Sequence, residues 1–210
     1  MDTNELIAHL SSQAAPTRVS KSPWHMALVW LVGFTIYVAL AVLASGLRVD
    51  ILAQLKTPLF ALEIALLVAL VVSCAVSAAV LSFPDRYQAR RAAQMPLAFF
   101  ALFAAIILFA LITQAVPVEL AIKHCECTLF MTFYALLPAA ALFYSMRRAA
   151  STSPAAASCV AVLTAFAIGA LILRLEEQTD SVSHVVMYHY LPMLAAALLG
   201  LMVGRKLLRW

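Results

Sequence analysis

The side chains best suited to chemistry are a few cysteines and histidines in a chain that is otherwise strongly apolar. His124, Cys125 and Cys127 stand close together, and His184 and His189 follow further along the chain. Imidazole nitrogens and thiolates are the usual protein ligands of zinc and copper, and thiols in an oxidising compartment can also form disulfides. These five residues predict a metal-binding or redox-sensing site; ordinary polar residues at a membrane interface are the alternative.

Apolar segments must position these residues, because the composition predicts a membrane protein. Of the 210 residues, 65% are hydrophobic and 11% are charged, whereas soluble domains are about 45–50% apolar and about 25% charged. Six stretches without Asp, Glu, Lys or Arg are each long enough to cross about 30 Å of hydrocarbon as a helix. Their approximate cores are residues 26–46, 58–82, 96–116, 127–146, 155–174 and 185–204.

The same stretches predict the fold class. They are continuous and rich in Leu and Ala, which favours helices over the alternating strands of a barrel. We therefore expect an all-α integral membrane protein, with a tail over residues 1–25 and a six-helix bundle over residues 26–210. Pro138 and Pro192 predict kinks or irregular turns. Gly200 and Gly204 form a G-x-x-x-G motif, which allows close helix packing either within the bundle or between two copies.

The distribution of basic residues predicts the orientation in the membrane. Six spans place both termini on one side, and short cytoplasmic loops are enriched in Lys and Arg. The termini and the two loops on their side hold ten basic residues, and the opposite loops hold four. We therefore expect a multi-pass inner-membrane protein with cytoplasmic N- and C-termini, and we attribute the net charge of +4 to topology rather than to nucleic-acid binding. The ten are Arg18, Lys21, Arg86, Arg90, Arg91, Arg147, Arg148, Arg205, Lys206 and Arg209; the four are Arg48, Lys56, Lys123 and Arg174.

Glu63 is the acidic residue that falls inside a predicted span. In this orientation it lies one to two helical turns below the outer surface. Ionisable groups in hydrocarbon are costly and usually functional. The alternatives are a protonated carboxyl or a side chain that reaches the interface.

The cytoplasmic tail predicts a short amphipathic helix. Leu6, Ile7 and Leu10 fall on one helical face, and Asp2, Thr3 or Asn4 can cap its start. Such a short helix is marginal alone in water, so it needs a surface on which to order. The apolar groove of a partner protein is one such surface and the inner leaflet is another; disorder is the third alternative.

Motifs for catalysis are missing from the sequence. It contains no phosphate-binding loop, no H-E-x-x-H and no Ser/His/Asp set in a suitable arrangement. We therefore expect a protein that is not an enzyme.

Three segments together resemble the NrsF family, which comprises six-helix inner-membrane anti-sigma factors. The resemblance covers essentially the whole chain, and its C-terminal part is the most specific. The segments are Leu6-Ile7…Leu10 with Pro23-Trp24, Cys127-Thr-Leu-Phe…Ala135-Leu-Leu-Pro138, and Tyr188-His189-Tyr-Leu-Pro192…Gly200…Gly204-Arg205-Lys-Leu-Leu-Arg209-Trp210.

The resemblance implies a function. The N-terminal segment, residues 1–16, would hold an extracytoplasmic-function sigma factor at the membrane, with Leu6, Ile7 and Leu10 in its groove. A periplasmic stress, such as a heavy metal, would act on outward-facing cysteines and release it. Cys127 matches the family cysteine at the start of the fourth span. The second family cysteine has no counterpart here, and Glu176, Glu177 and His184 stand near its place.

These expectations define the predicted sensor and its alternative. The predicted sensor comprises His124, Cys125, Cys127, His184 and His189, with no permanent cofactor and with zinc or copper as a transient ligand. The alternative hypothesis is a small-molecule transporter or a membrane redox protein that uses these residues together with Glu63.

Overall fold

The computed structural model describes residues 2–13, 22–84, 86–113, 125–149 and 151–208, and regular structure in these ranges is entirely helical. Six helical segments in the described ranges are long and apolar enough to cross a membrane, which confirms the predicted fold class. The elements are α1 (Thr3–Gln13), α2 (Pro23–Ser45), α3 (Ile51–Gln54), α4 (Pro58–Leu81), α5 (Arg90–Thr113), α6 (Cys125–Met146), α7 (Pro154–Glu176), α8 (Val182–Val185) and α9 (Leu191–Leu207).

Proline sets the start of three spans. Pro23, Pro58 and Pro154 each occupy the first helical position, where a missing N–H costs nothing and the fixed φ suits a helix. Ser22 caps α2, because its hydroxyl accepts a hydrogen bond from the His25 N–H at 3.3 Å. The third span differs from the predicted core, because α5 begins at Arg90 and contains Pro96 within the helix.

The sixth span is irregular where Pro192 predicts it. A π-helical segment, Val186–Tyr190, separates α8 from α9, and we call it the π segment. Pro192 has no N–H to donate to the carbonyl of Tyr188, its usual partner four residues earlier. The hydroxyl of Thr128 on α6 donates to that carbonyl instead, at 2.8 Å. The proline therefore frees an acceptor that ties the sixth span to the start of the fourth.

Helix α7 lies at the centre of the bundle and packs against α2, α4, α6 and α9. Its contact with α9 depends on small residues. A Cβ atom at Gly204 would lie 2.3 Å from the Cβ of Ser158 and 2.4 Å from the carbonyl oxygen of Pro154, and one at Gly200 would lie 3.1 Å from the Cα of Cys159. The G-x-x-x-G motif is thus used for packing within the bundle.

Apolar side chains on the outside of the bundle suit a lipid environment. Leu28, Leu40 and Leu43 on α2 and Leu129 and Phe133 on α6 are all exposed. In water such surfaces would favour aggregation, whereas in a bilayer they contact hydrocarbon.

Candidate functional site

Polar and charged side chains gather at one end of the bundle. Connectivity brings the C-terminal ends of α2 and α7 together with the start of α4, α6 and α8 at this end. Helix α7 is tied to its neighbours there, because Glu176 accepts hydrogen bonds from Tyr134 on α6 and from Ser45 on α2. We call this the cluster end of the molecule.

Four side chains of the types that can bind a metal ion converge at the cluster end. Cys127, Glu177, His184 and His189 each offer one donor atom, and these atoms all lie within 4.8 Å of one another. The Nε2 atom of His184 is 3.0 Å from Oε1 of Glu177, and the Nε2 atom of His189 is 3.1 Å from Oε2. The thiol of Cys127 donates to Oε1 of Glu177 at 3.8 Å. We call this set the four-donor cluster.

Each donor is positioned by the end or the irregularity of a helix. Cys127 lies in the first turn of α6, beside the Thr128 hydroxyl that binds the π segment. Glu177 is the residue after α7, in an extended conformation, with its N–H on the carbonyl of Leu173 at 2.8 Å. His184 lies in α8, and His189 lies in the π segment with its side chain completely buried.

The carboxylate of Glu177 is the charged centre of the cluster. Burial raises its pKa, but the hydrogen bond from His189 and the positive potential of both histidines outweigh burial and lower the pKa to about 2. The Nδ1 atom of His189 has no hydrogen-bond partner among the described residues, although the side chain is buried. A buried imidazole in this position usually has a partner.

The donor set fits a divalent metal ion. One thiolate, one carboxylate and two imidazoles are the ligand types of zinc sites. Metal–ligand distances of about 2.0–2.3 Å place the donors of a tetrahedral site roughly 3.3–3.8 Å apart. The wider-spaced donors would therefore have to approach one another, whereas the two histidine–carboxylate distances of 3.0 and 3.1 Å are already short enough. A bound ion would also give one of the two ring nitrogens of His189 a partner.

The cluster contains three of the five predicted sensor residues. Cys127, His184 and His189 come together, whereas His124 and the side chain of Cys125 lie outside the described residues. Sequence reasoning left Glu177 out of the ligand set. The available signal was its place between the fifth and sixth spans, at the same membrane level as the two histidines.

Glu63 belongs to a separate site. Its carboxylate forms a two-point ion pair with Arg174 on α7, at 2.8 Å to Nε and 3.0 Å to Nη2, and it accepts a hydrogen bond from the hydroxyl of Tyr190. Arg174 also donates to the carbonyl of Thr179 at 2.9 Å. The carboxylate of Glu63 therefore has hydrogen-bond partners on α7 and in the π segment.

A second buried arginine completes the charged network. Arg48 makes hydrogen bonds of 2.7–3.0 Å to both carboxylate oxygens of Asp50 and of Asp180. Hydrogen bonding with Arg48 lowers the pKa of Asp50 to about 2, and hydrogen bonds with the two acids raise the pKa of Arg48. The guanidinium groups of Arg48 and Arg174 lie 5.3 and 5.0 Å from the ring centroid of Phe60.

Helix α1 presents the predicted apolar face to solvent. Leu6, Ile7 and Leu10 are 41%, 59% and 58% exposed. The helix start is capped, because Asp2 accepts from the N–H of Thr3 at 2.7 Å and Glu5 accepts from the N–H of Asp2 at 3.0 Å. The tail therefore carries a formed helix whose apolar face is available.

Comparison with known proteins identifies a family for this chain. The model of the NrsF family, described as negative regulator of sigma F, matches residues 10–210. No curated protein and no solved structure matches the chain.

Proposed function

Because the chain belongs to the NrsF family of negative regulators of sigma F, we propose that it is a membrane-bound anti-sigma factor. Its N-terminal segment sequesters a sigma factor of the extracytoplasmic-function type, and a periplasmic signal releases that factor. The family match over residues 10–210 is the observation that carries this proposal. The same assignment supports a regulatory rather than a catalytic role.

Helix α1 is the docking element of this proposal. Its exposed leucines and isoleucine offer the anchor spacing of an amphipathic helix that lies in an apolar groove. The family match begins at residue 10, so the argument for residues 2–9 depends on exposure and on the capped helix. A sigma factor held through residues 1–16 is kept at the membrane and away from promoter DNA.

The distribution of charge supports an inner-membrane protein with cytoplasmic termini. Ten basic residues on the terminal side against four on the cluster side favour a cytoplasmic tail. The cluster end then faces the periplasm, where metal ions and oxidants arrive first. This orientation puts the docking helix and the four-donor cluster on opposite sides of the bilayer.

The four-donor cluster is the sensor of this proposal, and a divalent metal such as Zn²⁺ is its ligand. Reversal of a two-state equilibrium from 1:99 to 99:1 requires about 5.5 kcal/mol of differential binding. Sites of four protein ligands bind zinc with roughly 10–16 kcal/mol in small peptides. This total exceeds the required difference, so such a cluster can drive release if the released state binds the ion about 10⁴-fold more tightly than the holding state.

Co-purification tests the proposed partner and the docking element together. The tagged full chain and a chain lacking residues 2–16 are solubilised in mild detergent, and captured proteins are identified by mass spectrometry. We expect a small sigma factor with the full chain and its absence from the truncated chain. Absence from both captures would contradict the proposal, and equal capture would exclude α1 as the docking element.

A further inference from the structure

Two neighbouring residues of the π segment belong to two different sites. The ring of His189 lies against Glu177 in the four-donor cluster. The hydroxyl of Tyr190 donates to Glu63, and its ring packs edge-on against Phe103 with centroids 4.8 Å apart. Since these residues share a peptide bond, His189 cannot shift far without carrying Tyr190 with it.

A second connection joins the same two sites along α7. Arg174, the partner of Glu63, stands three residues before Glu177, one helical turn away at the end of α7. These contacts, together with the chain itself, therefore close a ring that runs from His189 through Tyr190, Glu63 and Arg174 along the end of α7 to Glu177 and back to His189. Movement on one side of this ring changes the geometry on the other.

Three observations indicate that this ring of contacts can rearrange when a metal binds. The donor atoms of the cluster are spread over up to 4.8 Å, which exceeds the roughly 3.3–3.8 Å of a tetrahedral zinc site. A cavity of about 220 Å³ borders Glu63 and Tyr190, with Phe60 and Ala110 in its wall. The π-helical turn is itself a local irregularity of the kind that occurs at functional sites.

We propose that Tyr190 is a positioning residue that couples the four-donor cluster to the Glu63–Arg174 ion pair. When a divalent metal gathers the four donors to tetrahedral spacing, His189 changes position, Tyr190 withdraws from Glu63 and the contact between α4 and α7 changes. This coupling rests on the proposed function of the cluster as a metal sensor. It assigns to Glu63 and Arg174 a role in transmission rather than in ligand binding.

Helix α4 can carry such a change across the bundle. Glu63 lies near its start at the cluster end, and Leu81 is its last residue at the opposite end. There the carbonyl of Leu81 accepts a hydrogen bond of 2.7 Å from the hydroxyl of Ser151, just before α7. The two helices are thus joined by a polar contact at both ends, so a shift at one end reaches the other.

Thermodynamic reciprocity predicts the sign of the effect of removing the tyrosine hydroxyl. In the native chain, part of the binding free energy of the metal is used to separate Tyr190 from Glu63. Tyr190→Phe removes that cost, so the metal should bind more tightly by the coupling factor, about 5–10-fold. A residue that merely supported the cluster would have the opposite effect, because its loss would loosen the site and weaken binding.

The experiment uses the purified full-length chain in detergent and measures two quantities. Zn²⁺ affinity is determined by competition against Co²⁺ absorption, and hydrogen–deuterium exchange of α4 peptides is measured with and without Zn²⁺. Tyr190→Phe is the primary variant, and Glu63→Asp, which keeps the charge opposite Arg174, is the second. Tyr37→Phe is the matched control, since it removes a hydroxyl that donates to the Tyr134 carbonyl at 2.9 Å outside the ring.

We expect Zn²⁺ to change the rate of hydrogen–deuterium exchange in α4 peptides of the native chain and of Tyr37→Phe. In Tyr190→Phe and Glu63→Asp this response to Zn²⁺ should be lost. Tighter Zn²⁺ binding by Tyr190→Phe, with a lost exchange response, supports the coupling. Weaker binding, or an exchange response equal to that of the native chain, overturns it while the sensor proposal stands. Failure of the native chain to bind Zn²⁺ overturns the sensor proposal, and the coupling with it.

Discussion

At the scale of single residues, the four-donor cluster depends on which side chains meet at one point. Glu177 contacts both histidines and the thiol, so it holds the donors in place before an ion arrives. Its pKa of about 2 keeps it ionised at neutral pH. The cluster therefore combines a fixed negative charge with two imidazoles, and neutral imidazole is the form that binds a divalent cation.

Removal of one donor should weaken metal binding. We expect Cys127→Ser and Glu177→Gln each to lower Zn²⁺ affinity by more than the roughly 10–100-fold loss that follows removal of a ligand's outer partner. Competition titration of the purified chain with Co²⁺ and Zn²⁺ measures this affinity. Induction by metal of a sigma-dependent reporter should fall in parallel.

Cys159→Ser is the control for these variants, because Cys159 is a half-buried cysteine on α7 that is not among the four donors. The Cys159→Ser variant should bind Zn²⁺ with the same affinity as the native chain. If Cys127→Ser bound Zn²⁺ as tightly as the native chain, the thiol would not belong to the proposed sensor. Full induction by metal in cells that carry this variant would lead to the same conclusion.

At the scale of elements, the apolar face of α1 is the proposed docking surface for the sigma factor. Leu6→Asp combined with Leu10→Asp places two carboxylates on that face, where burial in a partner's groove would leave them unpaired. We expect the sigma factor to be released and its target promoters to be active without a signal. Reporter activity and co-purification measure the two consequences.

The opposite face of the same helix supplies the control. Ala8→Asp combined with Ser12→Asp adds the same charges at the same spacing of four residues, away from Leu6 and Leu10. Repression should persist in this variant. Equal derepression by both pairs would indicate a general effect of charge on the tail, and unchanged repression by the first pair would exclude the apolar face as the docking surface.

The close contact between α7 and α9 can be tested by substitution of a glycine. Gly204→Ala brings a Cβ atom within 2.4 Å of the Pro154 carbonyl, so a backbone must move. We expect a loss of about 1–3 kcal/mol of stability, the usual cost of overpacking. Thermal unfolding in detergent measures this loss.

Gly33→Ala on α2 is the control, because a Cβ atom there would have no neighbour within 4 Å and helix propensity favours alanine. A Gly204→Ala variant as stable as Gly33→Ala would contradict the packing.

At the scale of the whole molecule, the bundle separates two kinds of surface. Apolar side chains cover the outside of α2 and α6, and charged groups are paired in the network at the cluster end. Buried ion pairs are costly to separate. The network therefore fixes how the ends of α2, α4 and α7 meet around Phe60, while the opposite end carries the tail.

The orientation of the molecule can be tested with reporter fusions. We expect green fluorescent protein fused after Trp210 to fluoresce and alkaline phosphatase at the same position to be inactive, because the basic termini remain in the cytoplasm. A fusion after Gln178, between the fifth and sixth spans, should give the reverse pair of results. Phosphatase activity at the C-terminus would show the opposite orientation.

The sequence by itself determined the fold class, because the length and apolarity of six segments leave helices across a bilayer as the stable form. It also determined the apolar face of α1 and the irregular turn at Pro192, since both follow from residues close together in the chain. The resemblance to the NrsF family was likewise present in local motifs, and the family match confirms it.

The tertiary structure alone decided which polar groups meet. Glu177 joins Cys127, His184 and His189 because the end of α7, the start of α6 and the π segment come together at one end. Glu63 and Arg174 are 111 positions apart, and only the packing of α4 on α7 makes them an ion pair. Periodicity reports which face of a helix is apolar, but it carries no information on which helix lies opposite, and contacts between distant segments depend on that choice.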